Sequence, residues 1–196
     1  ANRTGNWPID KSMQDPYYNY TSLLLHADGT DGANNTVFLD SSPNAYNVTI
    51  GGGKPLQGNF TPWSQPPGYW SILDDAGTSS YVTLSGWNYD TSFDFTFEGW
   101  INLSSPILSG TNNTITYNNI GGFYVNISYT DGVSGGGMSL DNTGYNNIGK
   151  TTGTVFFTGR WHHFVITRSG STLRAFVDGV LVIYVPGLVY AIGTVS

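Results

Sequence analysis

Thirteen acidic residues and three histidines are the main stock of side chains for acid–base or metal chemistry, and there is no cysteine. The pattern nearest to a pair of working carboxylates is Asp94-Phe95-Thr96-Phe97-Glu98. Hydrolysis of a glycosidic bond needs two carboxyl groups across one cleft, roughly 5–9.5 Å apart. Asp94 and Glu98 share a strand face, but four residues at strand rise separate their Cα atoms by about 13 Å, and Thr96 occupies the place of a middle carboxylate. The simpler reading is a strand with Phe95 and Phe97 in the core and its acids in water. His162 and His163 are neighbours on a strand, so they point to opposite faces and cannot chelate one ion together. His26 is remote in sequence, and packed, hydrogen-bonded histidines are the ordinary reading. The sequence therefore predicts no catalytic residues and a chain that is not an enzyme.

Two other constellations could bind rather than react. Asp28, Asp31 and Asn34 lie in one Gly-rich loop with Asp40 just beyond, an oxygen-rich set of the kind that suits Ca²⁺. The spacing is not that of an EF-hand, no Glu closes it, and Asp with Gly also makes ordinary turns. Sugar contact calls for exposed rings with amides nearby. Trp87, Asn88 and Tyr89 in the Ser85–Ser92 loop, and Tyr145, Asn146 and Asn147 in a second Gly-rich loop, are the candidates. Turn-forming Asn and half-buried aromatics account for the same residues.

These loops must be carried by strands. Trp161–Arg168, Thr172–Val177 and Val180–Val185 are β-branched and aromatic runs separated by Ser169-Gly170-Ser171 and Asp178-Gly179, the pattern of an antiparallel meander. Apolar residues on both alternating faces predict a meander covered on both sides, inside a sandwich. Further strands are expected at Thr21–His26, Val37–Leu39, Asn47–Ile50, Tyr69–Leu73, Ser80–Leu84, Asp94–Leu103 and Phe123–Tyr129. Residues 54–67 are Pro-rich and expected to be irregular. Residues 104–119 and 131–154, rich in Gly, Asn and Thr, carry no strand pattern. No segment keeps a helical apolar repeat beyond two turns, and there is no internal repeat.

The meander Trp161-His162-His163-Phe164-Val165-Ile166-Thr167-Arg168 through Asp178-Gly179 closely resembles the late strands of laminin-G-like, concanavalin A-like jelly-roll domains. Leu23-Leu24-Leu25-His26-Ala27-Asp28-Gly29, Phe38-Leu39-Asp40-Ser41-Ser42-Pro43, Gln57–Pro62 and Phe93–Trp100 are similar, in the same order, to such domains in structural proteins of marine tailed phages (cyanophages). The resemblance runs from about Thr21 to about Val185. It implies an all-β, antiparallel jelly-roll β-sandwich over residues 21–196, preceded by an extended N-terminal arm over residues 1–20. Such domains often hold calcium on a rim between strands, which is the setting for Asp28, Asp31, Asn34 and Asp40. They also continue past the Asp-Gly hairpin into two further strands. Ala191–Ser196 could begin only the first of these, so the sandwich is expected to be incomplete at its C-terminus, with an open edge that pairs with something.

The arm carries Trp7, Tyr17, Tyr18 and Tyr20. These aromatics fit either a segment folded along the domain's own sheet edge or one that clasps a neighbouring subunit. A formal charge of −6 and a pI near 4.6 exclude a nucleic-acid partner, and no apolar run reaches the ~20 residues of a membrane helix. Only 10% of residues are charged and 15% are aromatic, which suits a surface made for contact. The N-terminus lacks a signal-peptide core, although a mature chain would have lost one. Absence of cysteine favours synthesis in a reducing cytoplasm. Eight Asn-x-Ser/Thr triplets, at Asn2, Asn19, Asn34, Asn47, Asn59, Asn102, Asn112 and Asn126, exceed the roughly four that composition yields and read as composition rather than glycan acceptors. Together with the resemblance, the expectation is a non-enzymatic phage virion protein made in the host cytoplasm. It would decorate a capsid or form part of a fibre, and pair with copies of itself or with other virion proteins. The alternative is a carbohydrate-binding or host-adhesion module that holds a surface glycan. No cofactor is expected beyond possible calcium.

Overall fold

Alternating burial along the meander shows how the sheet is laid down. In β13 (Trp161–Ser169) every second side chain, from His162 through Phe164 and Ile166 to Arg168, is buried, while Trp161, His163, Val165 and Thr167 are half-buried. β14 (Thr172–Val177) repeats the pattern with Leu173, Ala175 and Val177 inside, and β15 (Val180–Val185) adds Ile183. The Asp178-Gly179 turn takes positive φ at both residues, 51° and 78°, which matches the twist of the strands it joins. The outer face, predicted to be covered like the inner one, is half-buried to exposed, with Tyr184 56% accessible.

The structure is a computed structural model that describes residues 16–27, 37–52, 55–58, 62, 71–73, 80–87, 93–110, 112–117, 123–142 and 146–188. Two units are distinguished, Ala1–Trp87 and Asn88–Ser196. In the first, β1 (Leu25–His26) pairs with β2 (Leu39–Asp40), β3 (Asn47–Gly51) with β6 (Tyr81–Ser85), and β4 (Leu56–Gly58) with β5 (Ser71–Leu73), all antiparallel. β4 falls in the stretch expected to be irregular. Tyr18–Tyr20 is a single 3-10 turn rather than extended chain. The Tyr18 hydroxyl donates to the Ser41 carbonyl at 2.7 Å, and Tyr17 and Tyr20 are exposed. Trp7 and the chain from Ala191 lie outside the described residues.

In the second unit β7 (Phe95–Asn102) pairs along its length with β13, giving the sheet order β15-β14-β13-β7. A second antiparallel sheet runs β11-β10-β9-β8, formed by β8 (Asn112–Tyr117), β9 (Tyr124–Ser128), β10 (Gly135–Asn142) and β11 (Asn146–Lys150). β12 (Phe156–Phe157) also pairs with β10. One core lies between the sheets: Phe123, Val125, Ile127, Met138, Leu140 and Phe156 meet Phe164, Ile166, Leu173, Ala175, Val177 and Ile183. Edge-on ring pairs cross it, Phe95 with Phe123 at 6.0 Å and Phe156 with Phe164 at 6.5 Å.

β8, β10 and β11 occupy the stretches without a predicted strand pattern. Gly135-Gly136-Gly137 lies in one of the stretches rich in Gly, Asn and Thr, yet it is strand backbone pressed against its neighbours. A Cβ at Gly136 would stand 2.5 Å from Ile127 Cγ2 and 2.9 Å from Ile107 Cγ1, so the residue is glycine for want of space. Gly136→Ala is expected to lower stability by about 1–3 kcal/mol, the usual cost of overpacking. Urea unfolding with an unchanged m-value would measure it.

His162 ties this sheet to β12. Its Nε2 accepts the Phe157 N–H at 2.9 Å and the Arg160 Nε–H at 3.3 Å. The ring proton therefore sits on Nδ1, which donates to Asp178 Oδ2 at 2.7 Å, while Asp178 Oδ1 accepts the His163 N–H at 2.9 Å. Burial pushes the Asp178 carboxyl up, but the His162 and His163 hydrogen bonds outweigh it and leave the pKa below its ordinary 3.8. A carboxyl whose folded pKa is depressed stabilises the fold above its unfolded pKa, and that stabilisation is lost as pH falls through the folded value. Asp178→Asn keeps a residue that tolerates positive φ but turns an amide donor toward one of the two N–H groups. It should cost about 1–2 kcal/mol at neutral pH and flatten the loss of stability below pH 3.8, read by thermal melts across the acid range.

Candidate carbohydrate-contact site

The outer side of the β8–β11 sheet carries a row of polar side chains. Val125 and Ile127 enter the core, so Tyr124, Asn126 and Ser128 point away from it. On β10 Met138 and Leu140 point in, and Ser139 and Asp141 point out. Register sets Lys150, Ser139, Asn126 and Thr114 opposite one another across four strands. Thr114 Oγ1 donates to Asn126 Oδ1 at 2.8 Å, Asn126 Nδ2 to Asp141 Oδ2 at 2.8 Å, and Ser139 Oγ to the same oxygen at 2.9 Å. Asn126, Ser139 and Asp141 are buried despite pointing outward. Asn126 is 1% accessible, so a glycan on this Asn-x-Ser triplet is incompatible with the fold.

At the Lys150 end the row opens into a shallow depression of about 430 Å³ lined by Tyr129, Thr130, Lys150, Thr151 and Thr152. A second hollow of about 300 Å³ continues from it over Gly153, Thr154, Val155 and Val182. Both are shallow and open to solvent rather than enclosed clefts. Local structure fixes each wall. Asp131 Oδ1 accepts the Val133 and Ser134 N–H groups, each at 2.9 Å. These bonds draw its pKa down to about 2 and fold the turn that follows Tyr129. Gly132, at φ 72°, lies under the tyrosine, where a Cβ would come within 3.2 Å of the ring. Thr151 Oγ1 accepts the Met138 N–H and donates to the Gly153 carbonyl, both at 3.0 Å, while the Thr130 and Thr154 hydroxyls meet at 2.7 Å. Beneath them Ser128 Oγ is buried without a hydrogen-bond partner. The result is one partly exposed ring, several hydroxyls and an ammonium around an open concavity.

The residues singled out from sequence lie elsewhere. Asn88, Tyr89 and Tyr145 are outside the described residues, as is the side chain of Asn146. Trp87 is half-buried beyond β6, and Asn147 is exposed opposite Asp141. Asp28, Asp31 and Asn34 are also outside the described residues. Asp40 accepts four hydrogen bonds, from the N–H groups of Leu24, Ser42 and Tyr46 and from Ser42 Oγ, at 2.8–2.9 Å. Burial raises its pKa, but these bonds outweigh it and lower the pKa below the ordinary value. Asp40 thus organises its own loop, and among the described residues no acid and histidine cluster has the arrangement of a metal site. Asp94 Oδ1 accepts the Gly170 N–H at 2.6 Å and staples the β13–β14 turn, whereas Glu98 pairs with His163 at 3.5 Å on the outer face. The two carboxylates serve separate structural contacts.

Residues 76–189 match the laminin G-like family model described as the concanavalin A-like lectin/glucanases superfamily. The chain belongs to that superfamily. Among solved structures it is similar to domain 4 of AbnA, a GH43 extracellular arabinanase from Geobacillus stearothermophilus, in complex with arabinotriose. The TM-score is 0.50 at 12% identity, over 79% of this chain and 72% of that one. At that identity the likeness concerns the jelly-roll fold alone. The comparison with curated proteins gives no match.

The sequence did not point to the depression because its rim lies in the turn after β9 and in the segment that follows Lys150 at the end of β11, where no apolar alternation marks it. The polar alternation Tyr124, Asn126, Ser128 was the signal that could have led there. Removing the amide at its centre should be felt throughout the row. Asn126→Ala leaves Asp141 and Thr114 short of a partner and should destabilise by about 1–3 kcal/mol, measured by chemical denaturation beside Thr114→Ala and the double variant.

Proposed function

We propose that this domain is a non-catalytic carbohydrate-binding module that meets its glycan at the Tyr129–Lys150–Thr152 depression. The observation that carries the reading is an open concavity on the polar side of a lectin-type sandwich, walled by one partly exposed aromatic ring and rimmed by hydroxyls. Rings stack on the apolar face of a pyranose or furanose, and hydroxyls exchange hydrogen bonds with its edge. Two findings support it: membership in a superfamily named for lectins and glucanases, and likeness to a domain solved with arabinotriose. The separate engagements of Asp94 and Glu98 favour binding over hydrolysis. A role in a tailed-phage particle draws on sequence resemblance alone, and the depression speaks for the glycan-binding alternative instead.

Affinity electrophoresis through gels containing a panel of plant, algal and bacterial polysaccharides tests the proposal. At least one polysaccharide should retard the domain. Tyr129→Ala should weaken that retardation about tenfold, as loss of a stacked ring does, with an unchanged melting temperature. Retardation by none, or equal retardation of the variant, would overturn it.

A further inference from the structure

We infer that the depression selects saccharides that carry a single carboxylate per residue, of the uronate kind, and that Lys150 is the selecting group. The inference rests on the glycan-binding reading and adds the ligand's charge to it. Lys150 lines both parts of the concavity, and no residue that lines either part is acidic. Its ammonium has no ion-pair partner among the described residues, where the paired acidic side chains are Asp178 with His162 and Glu98 with His163. Its register partner across the sheet is Ser139, whose hydroxyl is committed to Asp141.

Apart from Gly153, Val155 and Val182, the rest of the lining is polar and uncharged, namely Tyr129, Thr130, Thr151, Thr152 and Thr154. A Cβ at Gly137 would lie 2.7 Å from Thr151 Oγ1 and 3.1 Å from Ser128 Oγ. Both hydroxyls are buried under the lining and belong to the packing of its floor, with Thr151 Oγ1 engaged by the Met138 N–H and the Gly153 carbonyl. A sugar ring with one anionic substituent matches such a surface: hydroxyls face hydroxyls and a carboxylate faces the ammonium. The chain's overall charge of −6 sets the upper limit. One cation can offset one carboxylate at close range, but a densely sulfated chain would meet net repulsion.

The test is calorimetry with trisaccharides of galacturonate, glucuronate, mannuronate and guluronate, each beside its carboxyl-reduced neutral counterpart. At least one uronate should bind about fivefold more tightly than its neutral partner, the upper end for an exposed ion pair, and the preference should shrink with added salt. Lys150→Gln should abolish the preference, and Lys150→Arg should restore it. Equal affinity within every pair, with Tyr129→Ala still weakening both members, would overturn the inference and leave glycan binding standing. A preference that survives in Lys150→Gln would overturn the role of that residue. Binding of no member of any pair would overturn the glycan reading at this site and the inference with it.

Discussion

The second unit depends on how closely chains can approach along β10. This strand has a neighbour on each edge and the core on one face. At Gly135, Gly136 and Gly137 an added Cβ would collide with the Phe156 carbonyl, the side chains of Ile127 and Ile107, or Thr151 and Thr130. With those three Cβ atoms absent, the segment from Thr151 to Thr158 can run against β10. Successive bonds secure it: the Thr151 N–H to the Met138 carbonyl, Val155 to Gly136 and Thr158 to Ser134. That segment carries Phe156 into the core and Thr151 and Thr152 onto the rim. Packing and site share one cause, because the strand that brings the rim together begins with three residues that carry no side chains.

A division of labour follows between the two sheets. The β7–β13–β14–β15 sheet follows simple rules: alternating apolar residues, two tight turns and a buried histidine held between a carboxylate and a backbone amide. The β8–β11 sheet places hydrogen-bonded polar side chains on its outer face, and each depends on the next. Interiors penalise an unpaired polar group far more than they reward a paired one, so such a row resists piecemeal change. It holds a rigid backbone under Lys150 and Thr151, and a binding surface gains from walls that need no ordering when the ligand arrives.

The sequence announced the first sheet well and the second poorly, for a physical reason. Hydrophobic alternation marks strands whose inner face is built of side chains, and Phe95, Phe164, Ile166 and Leu173 read plainly. Asp178-Gly179 declared its hairpin through residues able to take positive φ. β10 offers three glycines and then a short alternation, so composition pointed to a loop where tertiary contact dictates a strand. For the same reason attention fell on the aromatic and amide-rich loops rather than on Tyr129, Lys150 and Thr151. Those residues gain meaning only from strands far apart in the chain. The separation of Asp94 from Glu98, and of His162 from His163, needed no more than strand geometry and agrees with the structure.

The pairing of β7 with β13 has a consequence for the order in which the chain assembles. β13, β14 and β15 are joined by the shortest connections and can zip together locally. β7 must find β13 across an intervening stretch that contains all of β8 to β12. Closing so long a loop is entropically costly before any contact repays it, and topologies rich in such contacts fold slowly. The meander therefore presents β13's free edge as a template, and the strand that docks on it precedes every other strand of its unit in the sequence.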